Sequence, residues 1–88
     1  MTDPLIAELR ERITAADRAI LAAVNRRLEL VDQLKRHKQS VKVEFVDPER
    51  ERRLIEELRA ENRGPLSDEG VEHLFQELLA LTKRELRR

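Results

Sequence analysis

From Pro4 to about Lys38 apolar residues recur every three or four positions, with no glycine and no internal proline. That is the period of a helix with one apolar stripe. One line along it steps alternately by four and three residues: Ile6, Arg10, Ile13, Asp17, Ile20, Val24, Arg27, Val31, Leu34, Lys38. Such heptad-like spacing marks a surface packed against another long helix. Four of these ten positions are charged, where a packed seam would carry leucines.

The boundaries are written in capping residues. Asp3 caps the first helix and Pro4 takes its first position. Running to about Lys38, this helix has about 34 residues and a length of roughly 50 Å. A second helix starts at "DPERERRLIEEL", where Asp47 caps, Pro48 leads and Glu49 complements the helix dipole. Leu54, Ile55 and Leu58 form its packing face, and "NRGP" around Asn62–Gly64 stops it with a C-terminal glycine. Ser67 caps a third helix whose inner face is Val71, Leu74, Phe75, Leu78, Leu79 and Thr82. The expected fold is all-α, with three helices per chain. A first helix of that length cannot be covered by the two shorter ones, so it calls for a second copy.

Composition narrows the functions. A chain of 88 residues is read as one small domain, residues 1–88. Lys+Arg and Asp+Glu balance at 18 each, which argues against a general nucleic-acid binder. There is no cysteine, and hence no disulfide or thiolate chemistry. The start "MTDPLIAELRERI" does not read as a secretory signal, and no run approaches the roughly 18 apolar residues of a membrane span. The expectation is a soluble, cytoplasmic protein. "KRELRR" at the C-terminal end reads as solvated.

The seam charges carry the functional question. One reading is a coiled-coil dimer in which they fix register. The other is a ligand of opposite sign. Arg27 and Lys38 are eleven residues apart, close to three turns, and share a face at roughly 16 Å. Long side chains at that spacing converge on one small anion. Arg10 lies seventeen residues before Arg27, roughly 25 Å away along the same helix. An antiparallel partner helix would bring its own Arg10 beside Arg27. If all three cations serve one ligand, the protein is an intertwined homodimer with two composite sites. Asp47, Arg50 and Glu51 add polar groups at the start of the second helix, beside N–H groups that favour an anion or a hydroxyl oxygen. His37 and His73 lack metal-ligand spacing, and no phosphate-binding glycine loop or Ser/His/Asp grouping is visible. An enzyme made of these parts works without a metal or a covalent intermediate, by holding a polyanion in shape and stabilising redistributed charge.

The ordered set "LRER…D…RRLEL…K…DPERE" resembles the all-helical chorismate mutases of the AroQ class, without gaps from Leu9 to Leu58. The resemblance implies an intertwined helical homodimer that rearranges chorismate, a dianion, to prephenate without a cofactor. It implies that Arg10 crosses from the partner subunit to one substrate carboxylate and that Arg27 pairs with the other. Lys38 matches the lysine bonded to the ether oxygen, and Glu51 the carboxylate that receives the ring hydroxyl. Asp47 and Arg50 fall where the family closes the pocket, and Thr82 where many members have serine. One turn after Thr82 the family usually has glutamine or glutamate, a second donor to the ether oxygen; here that residue is Leu86, with Glu85 beside it. A missing donor of this kind costs about 2–4 kcal/mol by analogy with oxyanion-hole deletions.

The same scaffold would also suit an isochorismate-pyruvate lyase, an amino-deoxychorismate mutase, or a non-catalytic helical dimer. A partner enzyme of the aromatic pathway is compatible with all of these.

Overall fold

The computed structural model describes residues 3–87. They form α1 (Pro4–Ser40), α2 (Pro48–Glu61) and α3 (Asp68–Glu85), with no strand among the described residues. The architecture is therefore all-α, with three helices.

Local chemistry sets each helix start. The Asp3 carboxylate accepts from the N–H groups of Leu5 at 2.8 Å and Ile6 at 3.3 Å. Asp47 accepts from the N–H of Arg50 at 3.1 Å, and Ser67 Oγ from that of Gly70 at 3.0 Å. Each satisfies a donor that the first helical turn leaves without a partner.

The ends depart from the sequence expectation. α1 continues two residues past Lys38, to Ser40. Its terminus is a Schellman motif made by a lysine. Lys42 adopts φ 58°, its N–H bonds the carbonyl of Gln39 at 3.3 Å, and the Val43 N–H reaches back to the carbonyl of Lys38 at 2.8 Å. α2 stops at Asn62, which leaves the helix in an extended conformation (φ −64°, ψ 131°). The Asn62 side chain accepts from the Gly64 N–H at 3.1 Å and donates to the Leu66 carbonyl at 2.7 Å. Gly64 does have positive φ (78°), but two residues beyond the cap, in the turn rather than at the helix end.

The chain divides into two compact units, Met1–Val31 and Asp32–Arg88. The first is the greater part of α1. No α1 residue is buried, and Ile13 and Ile20 are each 60% exposed. The second unit contains α2 packed against α3, with the last turns of α1 and the loop that follows. Among its described residues, those buried are Val71 (3% exposed) and Thr82 (6%), three turns apart on α3. Leu54, Ile55, Leu58, Phe75, Leu78 and Leu79 are half-buried around them. Leu74, expected on the inner face, is 46% exposed. Leu74 and Leu79 flank the Val71–Thr82 line by about 70° on opposite sides, and of the two only Leu79 is half-buried.

Holding a lysine in the left-handed region costs about 1–2 kcal/mol, and the Lys42 side chain is exposed. Lys42→Gly is expected to stabilise the fold by about 0.5–1 kcal/mol after allowing for the freer unfolded chain, read as a higher midpoint of thermal unfolding.

Candidate active site

Of the seven residues singled out from the sequence, Arg10 and Arg27 lie in the first unit and Lys38, Asp47, Arg50, Glu51 and Thr82 in the second. In the first unit Arg10 is exposed and Arg27 half-buried. Ile6, Ile13, Ile20 and Arg27 follow one another at intervals of seven, so the arginine stands on a line otherwise made of isoleucine.

In the second unit two lysines of α1 face the loop and the end of α3. Lys38 Nζ donates to the Phe45 carbonyl at 3.3 Å. Lys35, one turn earlier, donates to the Leu86 carbonyl, and its Nζ stands 5.6 Å from the centroid of the Phe45 ring. This is cation–π distance. Both ammonium groups therefore use neutral acceptors, and neither pairs with a carboxylate among the described residues. Their positive charge is kept rather than cancelled. Phe45, half-buried, lies against both.

The start of α2 carries the acidic half of the constellation. The Asp47 carboxylate is engaged as the helix cap, and Arg50 projects an exposed side chain from the first turn. Glu51 is half-buried one turn before the Leu54, Ile55 and Leu58 stripe. It accepts from Lys83 Nζ at 2.8 Å, an ion pair that joins α2 to the end of α3. Thr82, next to Lys83 and buried, donates its hydroxyl to the Leu78 carbonyl at 2.7 Å. The groove of about 270 Å³ lined by Glu56, Arg59, Ala60 and Asp68 contains none of the seven residues.

The end of α3 decides the position where a second donor was sought. Leu86 is the C-cap, half-buried, its N–H bonded to the Thr82 carbonyl at 3.0 Å. Glu85, the last helical residue, is exposed. The register of α3 thus turns Leu86, not Glu85, toward the unit.

Lys35 and Lys83 were not singled out by sequence reasoning. Lys35 carries a signal, since it precedes Lys38 by three residues and so shares its face. Lys83 carries none: it begins the "KRELRR" run read as solvated, and it is exposed, yet it reaches Glu51 in an ion pair that no local spacing signals.

Comparison with known proteins identifies the family. The chain matches the chorismate mutase type II family over residues 9–86. The solved structure of chorismate mutase (form I) from Thermus thermophilus is 32% identical, over 88% of this chain and 96% of that one, with a TM-score of 0.86. Form II of chorismate mutase from the same organism is 31% identical, over 94% of each chain, with a TM-score of 0.89. No curated protein matches. A family match that runs from the first heptads of α1 to the cap of α3, on an all-helical chain, establishes that this chain belongs to the type II, all-helical chorismate mutases.

Proposed function

We propose that the chain is a chorismate mutase, an isomerase that converts chorismate to prephenate by an intramolecular Claisen rearrangement. It works as one functional domain in an intertwined homodimer with two shared sites. The observation that carries the reading is the family match over residues 9–86, a span that includes all seven candidate residues.

Support for the dimer comes from α1. Its apolar line is solvent-exposed in the single chain, and Ile6, Leu9, Ile13, Ile20 and Leu21 are more apolar surface than one helix leaves open without a partner. A second α1, antiparallel, covers that line and delivers the partner's Arg10 toward Arg27 and Lys38.

The chemistry follows from the charges. The rearrangement breaks a C–O bond and forms a C–C bond within one molecule, so no nucleophile or base takes part. The reactive conformer folds the enolpyruvyl arm over the ring. Arg10 of one subunit and Arg27 of the other hold the two carboxylates in that conformer, by bidentate forks where geometry allows. Negative charge grows on the ether oxygen as its bond breaks. Lys38 stabilises it more in the transition state than in the ground state, because its ammonium is held beside a carbonyl and not neutralised by a carboxylate. Glu51 receives the ring hydroxyl, and Arg50, the Asp47-capped turn and Thr82 complete the wall. At Leu86 the second donor is absent, since an aliphatic side chain supplies no hydrogen bond.

The primary test is consumption of chorismate by the purified protein with the product identified as prephenate. In that assay Arg27→Ala is expected to lower kcat/KM by at least about a hundredfold with helicity retained, because a carboxylate clamp is lost from an intact helix. Arg10→Ala and Lys38→Ala are each expected to be inactive alone. After subunit exchange of an equal mixture, about a quarter of the sites regain both residues and activity returns accordingly. Leu86→Gln is expected to raise kcat/KM about tenfold or more by restoring a donor to the ether oxygen.

A further inference from the structure

Glu49 and Glu56 of α2 are matched along their own helix. Arg52 bonds both Glu49 and Glu56 on an exposed face, reaching the latter at 2.6 Å. The hydrogen bond it donates to Glu49, then the charges of Glu49 and Glu56, raise its guanidinium above the ordinary arginine pKa. Glu51 behaves differently. Its side chain is only 21% exposed, and its partner comes from another helix: Lys83 Nζ lies 2.8 Å from Oε1. The other α2–α3 ion pairs, Arg59 with Asp68 at 3.9 Å and with Glu72 at 3.8 Å, are longer and belong to the far end of α2.

We propose that Lys83 is a positioning residue for Glu51, fixing the carboxylate so that one oxygen is presented to the ring hydroxyl of the substrate. The inference rests on the role given to Glu51 above. Lys83 follows Thr82, which is buried, so its backbone is anchored at the innermost part of α3. Glu51 lies one helical turn ahead of Leu54 and Ile55, so its carboxylate leaves α2 on the side that meets α3. A carboxylate has about four lone-pair sites. With the ammonium on Oε1, Oε2 is left to a second donor and can no longer rotate freely into water. Lys83 has a second effect. It offsets the negative charge of Glu51, which would otherwise repel a dianionic substrate.

As a contribution to folding the pair is small. With the Lys83 side chain 43% exposed, it is worth at most about 1 kcal/mol. Its consequence therefore belongs in turnover and not in the melting curve.

The test is a double-mutant cycle of Lys83→Met and Glu51→Gln, with Lys83→Arg as the conservative variant, each assayed for chorismate conversion and thermal unfolding. Lys83→Met is expected to lower kcat/KM about tenfold, mainly through KM, with an almost unchanged melting temperature. Lys83→Arg is expected to restore most of the loss. In the Glu51→Gln background the same Lys83→Met change is expected to have under about a twofold effect, because the carboxylate it orients is gone. A tenfold loss in both backgrounds would show that Lys83 acts independently of Glu51 and overturn the proposal. So would a near-normal Lys83→Met beside an impaired Glu51→Gln, which leaves the role of Glu51 standing. An unimpaired Glu51→Gln would remove the hydroxyl-binding role itself, and this inference with it.

Discussion

A cation set into an apolar seam is stable only if something of opposite sign, or water, meets it there. Most of what distinguishes this chain follows from that constraint. Arg27 occupies the same heptad line as Ile6, Ile13 and Ile20, and a helix that is to bury those isoleucines must bury the arginine as well. A doubly charged ligand meets the requirement. In the proposed dimer it sits where the two long helices would otherwise have to desolvate their arginines against each other.

The second unit treats its charges in two ways. On α1, Lys35 and Lys38 are held by backbone carbonyls and the face of Phe45, partners that orient an ammonium without cancelling it. Across the α2–α3 interface, Glu51 and Lys83 neutralise each other. Unpaired cations suit an ether oxygen that gains negative charge. A neutralised carboxylate suits a hydroxyl that donates a hydrogen bond and keeps its proton. The proposed chemistry thus needs no group other than those the helices already present. Side chains on helices are also better fixed than side chains on loops.

Much of this was legible beforehand. The starts of all three helices follow from Asp3, Asp47 and Ser67, whose side chains satisfy local N–H groups whatever the rest of the chain does. The ends were harder. α1 outlasts its apolar pattern because a Schellman turn closes on Lys42, a residue with no sequence preference for left-handed backbone. α2 ends at Asn62 because that side chain bridges the turn ahead of it, and the glycine that looked like the stop serves the turn instead. Leu74 fits the helical period as well as Leu79 does, but period says nothing about which flank of a stripe finds a neighbour. Among the candidate residues, cations in an apolar line stood out because the pattern predicts leucine there. Lys83 did not, because a lysine in a charged run is indistinguishable from a solvated one until its partner is known.

The sequence by itself determined the all-helical class, the places where helices begin, and the ordered set of charges that marks the family. Those are properties of near neighbours along the chain: a cap and its N–H, a residue and the one a turn away. Tertiary structure decided which charges meet. Glu51 and Lys83 are 32 residues apart, and Lys35 and Leu86 are 51 apart. Their contact depends on how the helices pack and where α3 stops, which no local spacing encodes. It also decided that Leu86 rather than Glu85 turns inward, because one residue along a helix is about 100° around it.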